Sequence, residues 1–306
     1  MLVSVVINAW NAADYLREAI ESALAQTYQN LEVVVVDDGS TDHTREVSLS
    51  FGERVRYFYQ EKDDTRGASA QRRAYAEARG EFIAGLDQDD RWLPGKIERQ
   101  LKAMQADPAL GVVFTRFRLI DGEGRDQGLS PLVGPSGDVF HFLLGGNAYC
   151  YSSALVRTSA YLKDGHPSVR TGMSDWDMWL RLSRHFPVAM LDEALTEYRV
   201  HGNAYSSNFE TMARATERVL LRQKEILHPD CADCRAGWRK GWRVVVRAYL
   251  DHYHIDSRRG EFMRALPSLR RAAALSPAYA LSPRQLAAVC KSAGLAALRR
   301  VKRDSA

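Results

Sequence analysis

Apolar runs and helical-period stretches alternate in strict order over the first 120 residues. Residues 2–7 are almost unbroken apolar, as expected of a strand covered on both faces of a sheet. Tyr15, Leu16, Ala19, Ile20, Ala23 and Leu24 then recur on one face of a helix that Asp14 can cap. A second buried-type strand at 31–36 runs into Asp37-Asp38-Gly39-Ser40-Thr41-Asp42. The spacing continues with helix 42–51, strand 55–59, helix 68–79, strand 82–86, helix 95–106 opened near Pro94, and strand 111–117. Strand, helix, strand is the repeating unit of a parallel sheet.

Beyond residue 120 the pattern changes twice. Residues 121–171 are rich in Gly, Ser and Pro and read as a long functional loop with a short helix at 140–144. Residues 171–182 read as a helix with Trp176, Trp179, Leu180 and Ser183 on one side, followed by strands at 188–191 and 195–200. After residue 206 the period is helical throughout. Met212, Thr216, Val219, Leu220, Gln223 and Leu227 mark one helix, and Trp238, Trp242, Val245, Val246, Tyr249 and Tyr253 another. Pro267 and Pro277 are expected to break the following segment, and Pro283 to open a last helix ending in Arg299, Arg300, Lys302 and Arg303.

Composition adds few constraints. A chain of 306 residues, 45% hydrophobic and 26% charged, has material for one large domain or two smaller ones. No run of eighteen apolar residues suggests a membrane span, and the start reads as a first strand and not a signal peptide, so a cytoplasmic setting is expected. Cys150, Cys231, Cys234 and Cys290 are too sparse for a disulfide framework, and Cys231-Ala-Asp-Cys234 is half of a zinc pattern without its second half. Charge is more informative. Residues 1–206 hold 22 Lys/Arg against 29 Asp/Glu, whereas residues 207–306 hold 20 against 9. The basic end is either a solvated helical face or a surface for an anionic partner such as a membrane.

The chemistry concentrates where the fourth strand ends, in Asp87-Gln88-Asp89-Asp90. Alternate side chains of an extended segment share a face, so Asp87 and Asp89 can meet one hard divalent cation while Gln88 points elsewhere. The other reading is a solvated acidic turn. Ligands of open parallel sheets bind beyond the carboxyl ends of the strands, which places Asp38 on the same rim. No glycine follows the first strand and no Walker loop occurs, so a nucleotide must be read by side chains. Trp10 offers a flat face for a base, or packs in the core; Asp38 offers an acceptor for a base N–H, or caps its own turn. With a cation to neutralise a diphosphate, this rim suits an activated sugar donor.

Several segments together then resemble the family 2 inverting glycosyltransferases of GT-A fold: residues 3–7, 12–16, 22–28, 32–42, Gly67-Ala68-Ser69-Ala70-Gln71-Arg72, and 82–90, with the likeness resuming at 172–206. The resemblance implies an α/β fold with a mostly parallel central sheet flanked by helices, followed by an α-helical C-terminal region. It implies a catalytic domain at 1–206, with 1–120 binding the nucleotide sugar and 121–206 the acceptor, and a basic helical region at 207–306. By resemblance, Asn8, Trp10, Asp38, Arg72, Asp87 and Arg199 contact the donor, Asp89 and His201 hold Mn²⁺ or Mg²⁺, and Asp175 is the base, with Trp176 beside the acceptor. Asp175 would stand in the first turn of its helix, where the dipole favours a carboxylate, or be a plain helix-start acid. Two departures leave the base contact and acceptor geometry open: Asn8 and Trp10 stand where the family usually has Pro and Tyr, and Ser174 where Glu is frequent.

The expected reaction is transfer from a nucleoside diphosphate sugar, UDP-sugar favoured, to a glycan or lipid-linked acceptor in cell-surface polysaccharide or glycolipid synthesis. Peripheral contact with the inner face of an anionic membrane is a further expectation; nucleic acid is not an expected partner, and the oligomeric state is open. Two other readings stand beside it: a nucleotidyltransferase using the same rim, and a noncatalytic sugar-nucleotide or glycan-binding protein on the same scaffold.

Overall fold

The computed structural model describes residues 1–63, 65, 67–165, 173–202, 208–228, 230–259, 261–280, 282, 285 and 287–289. Expectations for Thr171, Gly172, Asn203, Pro283, Cys290 and the terminal Arg299, Arg300, Lys302 and Arg303 lie outside these residues. The chain divides into two units, residues 1–143 with 147–202, and residues 144–146 with 203–306.

In the first unit the alternating pattern becomes β1 (Val3–Ala9), α1 (Leu16–Leu24), β2 (Leu31–Asp38), α2 (Thr44–Leu49), β3 (Val55–Gln60), α3 (Ala68–Glu77), β4 (Phe82–Asp87), β5 (Arg91–Trp92), α4 (Lys96–Ala106) and β6 (Val112–Ile120). Then come β7 (Asp126–Leu129), α5 (Phe140–Leu144), β8 (Leu155–Arg157), α6 (Thr158–Asp164), α7 (Ser174–Leu182) and β9 (Val188–Arg199). The sheet runs β3-β2-β1-β4-β8-β6-β9-β5, with β7 paired to β6. β3, β2, β1 and β4 are parallel to one another. Val5, Val6, Ile7, Val34 and Val35 are wholly buried, which is why these strands read as continuous apolar runs.

Past β4 the sheet departs from the expected parallel succession. β8 inserts antiparallel between β4 and β6, β6 and β9 run parallel, and β5 pairs antiparallel with β9. The segment expected as one long loop therefore carries two strands, of four and three residues, and a second helix. Strands this short show no measurable alternation; only their pairing makes them strands. The two strands expected at 188–200 are the single β9, whose register against β6 jumps from Leu191 to Ala194 and again from Ala194 to Thr196, leaving Asp192, Glu193 and Leu195 as extra residues.

The expected Asp14 cap is not formed. α1 starts at Leu16 behind Tyr15 without a side-chain cap, and the preceding turn is held by Asp42 and Thr44, which accept the N–H groups of Ala13 and Ala12. Gly85 has a plain steric reason, because a side chain there would run into the Tyr151 ring packed on β4.

The second unit is helical among its described residues: α8 (Phe209–Gln223), α9 (Ala232–Arg259), α10 (Phe262–Leu275) and α11 (Pro277–Ala280). Val219, Leu220, Val245, Val246, Leu250, Tyr253 and Ala272 form its buried face. Contrary to expectation α10 runs through Pro267; the proline removes one helical N–H, and the buried Ala265, Ser268 and Ala272 keep the remaining turns docked. Pro277 opens α11 at its first position, where no N–H is needed. Among the described residues no helix is long and apolar enough to cross a membrane.

Candidate active site

The parallel half of the sheet delivers its chemistry at the carboxyl ends of β1, β2 and β4. Register places Asn8 between Val36 of β2 and Asp87 of β4, with Asp38 two residues farther along β2. Asn8 Oδ1 is buried without a hydrogen-bond partner among the described residues, an acceptor left over by the fold.

The neighbouring loops are stitched together by side chains. Gln88 grips the backbone of Trp10, its Oε1 accepting the Trp10 N–H at 2.7 Å and its Nε2 donating to the Trp10 carbonyl at 3.3 Å. Trp10 is thus not core; its ring is half exposed, with the Lys62 ammonium 2.9 Å from its centre. Ser40 Oγ accepts the N–H of Asn11, and Asn11 Oδ1 accepts that of Thr41. The turn cap considered for Asp38 belongs instead to Asp37, which accepts from Ser40 N–H at 2.8 Å and Tyr57 O–H at 2.7 Å. Asp38 accepts from Gln60 Nε2 at 2.8 Å, and burial raises its pKa above the ordinary carboxylate value. Gly39, at φ 75°, brings this turn so close to Lys62 that a side chain would collide with the Lys62 backbone N at 2.6 Å.

The three carboxylates after β4 have separate surroundings. Asp90 is 1% exposed and structural: its Oδ2 accepts from Ser152 Oγ at 2.5 Å and its Oδ1 from the Arg199 N–H at 2.9 Å. Ser152 Oγ in turn accepts the Asp87 N–H at 3.0 Å, so one serine fixes both ends of the motif. Asp87 is pushed up to about 8 by burial and by the charges of Asp89 and Asp175, which brings the base candidate and the strand-end pair into one electrostatic neighbourhood. Asp89 Oδ2 lies 2.8 Å from His201 Nε2, and Tyr15 packs on the imidazole with ring centres 4.9 Å apart. The carboxylate oxygen is a suitable donor for Mn²⁺ or Mg²⁺, and the imidazole nitrogen fits a transition ion such as Mn²⁺ better than the harder Mg²⁺. Among the described residues no third carboxylate or imidazole joins them closely enough to complete a protein cage, so any cation there leaves most positions to water or to a phosphate-bearing ligand.

Arg199 is located elsewhere than the resemblance implied. Its side chain is wholly buried, with Nε on the Asp89 carbonyl at 2.7 Å, Nη1 on the Gly122 carbonyl at 2.9 Å and Nη2 on Glu18 Oε2 at 2.8 Å. A guanidinium enclosed by these partners positions the Asp89 segment and does not face an open rim. Glu18 also accepts from Arg91 Nη1 at 2.9 Å, which links α1 to β5.

Asp175 lies in the first turn of α7, and its Oδ2 accepts from Asn147 Nδ2 at 2.9 Å. Burial raises its pKa against the lowering effect of hydrogen bonds from the Trp176 N–H and Asn147, giving a carboxylate with increased proton affinity. Trp176, expected beside the acceptor, is 1% exposed and donates from Nε1 to the Leu143 carbonyl at 2.9 Å, which places its ring in the core. Arg72 is exposed on α3, where its charge acts on the Tyr161 phenol. Sequence reasoning missed Lys62, Gln88, Asn147 and Ser152. Gln88 alone had a local signal, since its side chain alternates away from Asp87 and Asp89 toward the first loop.

The family model for glycosyl transferase family 2 matches residues 4–163. An uncharacterized glycosyltransferase of Rickettsia typhi is 32% identical over 217 residues, covering 65% of this chain and 64% of the relative; a Rickettsia felis relative is covered over 34% of its length. The provisionally named teichuronic acid biosynthesis glycosyltransferase TuaG of Bacillus subtilis is 31% identical over 233 residues, 74% of this chain and 90% of that protein. Among solved structures, S. aureus TarS 1–349 in complex with UDP-GlcNAc superposes with TM-score 0.61 at 16% identity over 100% of this chain and 92% of that one. The Pyrobaculum calidifontis mannosyltransferase PcManGT, in complex with GDP-Man and Mn²⁺, gives TM-score 0.60 at 19% identity, covering 98% and 86%. The chain belongs to glycosyl transferase family 2 and has the GT-A fold.

Proposed function

We propose that this protein transfers a sugar, with inversion, from a nucleoside diphosphate sugar to an acceptor hydroxyl, using Asp175 as general base. The observation that carries this reading is that Asp87, at the end of β4, is raised by burial first and then by the charges of Asp89 and Asp175, so that the base candidate acts on the strand-end carboxylates. A cluster of carboxylates that cannot all ionise comfortably is suited to a cation and a polarised ligand, and a mere binder needs no base beside it. Trp10, Lys62, Asn8 and Asp38 line the donor side, with Asp38 and the unpartnered Asn8 oxygen as acceptors for nucleotide N–H or O–H groups. Arg72, exposed on α3, is proposed as a cation for the phosphates. Asn147 fixes one oxygen of Asp175, leaving the carboxylate aimed to take the acceptor proton. Asp89 and His201 would hold Mn²⁺ or Mg²⁺ together with the diphosphate. The bound cation would neutralise charge developing on the leaving diphosphate. In this reading the first unit is the catalytic domain, its 1–120 part binding the donor and its later part the acceptor.

A nucleoside diphosphate sugar as donor is in keeping with TarS, solved with UDP-GlcNAc, and with PcManGT, solved with GDP-Man, and a UDP-sugar is the donor proposed. Synthesis of a cell-surface glycan, with a glycan or lipid-linked acceptor, is in keeping with the name of TuaG. A thermal-shift screen of UDP-, GDP- and dTDP-sugars with Mn²⁺ tests the proposal. The cognate donor should raise the melting temperature in a concentration-dependent way, since saturation at a hundred times Kd adds about 2.7 kcal/mol. No shift with any donor, with Mn²⁺ present, would overturn it.

A further inference from the structure

The helical unit carries a concavity unrelated to the carboxylate rim. A cavity of about 390 Å³ opens between α8, α9 and α10, with Arg214, Glu217, Arg218, Tyr249, Ser268 and Arg271 among its lining groups. That volume is in the range of small-ligand sites. The lining holds three guanidinium groups and one carboxylate, and that carboxylate is already committed: Glu217 pairs with Arg271 through Oε1 and accepts from the Tyr249 O–H at 2.6 Å through Oε2. Burial would raise the Glu217 pKa, yet its bonds to Arg271 and Tyr249 hold it below the ordinary value, so it stays ionised as a fixed anchor for Arg271.

Arg214 and Arg218, four residues apart on α8, share this lining with Arg271. Arg214 reaches Glu210 at 2.6 Å on the exposed side of α8, a pair weakened by solvent and easily exchanged for a better anion. Tyr249 and Ser268 are each 5% exposed. Ser268 Oγ is oriented by His252 Nδ1 at 2.7 Å, whose Nε2 meets Asp256 at 3.0 Å, so the floor of the cavity is a built polar network. Serine, histidine and aspartate in series invite comparison with a hydrolytic triad, but Ser268 lies inside α10, where backbone N–H groups serve the helix and not an oxyanion. What the lining offers is planar, multidentate donors for a tetrahedral anion, beside an apolar wall of Leu221 and Pro267.

We propose that this cavity binds a phosphate group, presented either by a soluble phosphate ester or by an anionic lipid headgroup. Binding of inorganic pyrophosphate to the full chain is measured by titration calorimetry in EDTA, which keeps divalent cations from the carboxylate rim, and cosedimentation is measured with phosphatidylglycerol and phosphatidylcholine vesicles. Arg214→Gln, which leaves no buried charge behind, weakens binding about tenfold. Glu217→Gln frees Arg271 and tightens it several-fold, a gain that misfolding cannot mimic. Saturable pyrophosphate binding without vesicle binding identifies a soluble source; binding to phosphatidylglycerol vesicles that pyrophosphate competes away identifies a headgroup. Absence of both, or affinities equal in all three proteins, overturns the proposal. Because the readout needs neither metal nor sugar donor, its failure leaves the transfer reaction untouched, and failure of that reaction leaves this site untouched.

Discussion

The two halves of the sheet do different work. In the parallel half, β3-β2-β1-β4, three strands bring polar groups to the carboxyl rim: Asn8 on β1, Asp38 on β2, and Asp87 on β4 with Asp89 just beyond it. In the mixed half, β8-β6-β9-β5, the groups that matter are mostly buried and hold something else in place. Ser152, just before β8, fixes Asp87 and Asp90; Arg199, at the end of β9, ties down the Asp89 backbone. The difference teaches that a residue's position beside a motif says little about its role unless its exposure is known. Asp89 and Asp90 are adjacent, yet one meets His201 at the edge and the other is sealed under Arg199.

The contrast can be broken by experiment. Asp89→Ala, in the presenting half, should take metal-dependent transfer to the assay floor with the fold intact; full activity in a radiolabelled-donor assay would remove the cation from Asp89. Asp175→Asn should lower kcat by about a hundred to ten-thousand-fold, with donor affinity in calorimetry nearly unchanged. A collapse of donor affinity there would make Asp175 a binding group.

The anchoring half should respond in stability. Arg199→Ala leaves Glu18 with Arg91 alone and the Asp89 and Gly122 carbonyls unbonded, and should cost about 1–3 kcal/mol for each carbonyl in urea unfolding. If it instead raises KM for the donor without loss of stability, Arg199 faces ligand after all. Lys96, wholly buried on α4 against the Trp92 ring and Gln100, gives the opposite sign. Burial pushes its ammonium down to about 7. The folded state therefore holds fewer protons than the unfolded one between about pH 7 and the ordinary lysine value near 10.4, and the stability of the parent protein rises with pH across that window. Lys96→Met should stabilise by about 1–4 kcal/mol below pH 7, with the gain shrinking as pH rises; a pH-independent gain would mean packing and not charge. The smallest effect belongs to Trp176→Phe, which loses the bond to the Leu143 carbonyl and should cost about 1 kcal/mol while acceptor KM stays constant.

Much of the parallel half was readable along the chain, because its information is local. A strand covered on both faces is an apolar run, a crossover helix shows the 3.6-residue period, and the alternation of an extended chain already separates Gln88 from Asp87 and Asp89. The acidic strand ends, and the helical character of the C-terminal region, were likewise legible. The mixed half was not. β7 and β8 are too short for a period, and what makes them strands is a neighbour far away in sequence. Nor could spacing say that Asp37 and not Asp38 caps the turn, that Trp176 is core, or that Arg199 is enclosed by Glu18 and the carbonyls of Asp89 and Gly122.

The sequence by itself determined the periods, the order of elements and which residue types stand at the strand ends. Covalent geometry sets those from one residue to the next. The tertiary structure alone decided which side chains remain open to a ligand, since exposure and proton affinity depend on atoms brought together from distant segments. Asp87 shows the division: its place after an apolar strand is written in the chain, and its raised proton affinity exists because the fold buries it and sets the charges of Asp89 and Asp175 beside it.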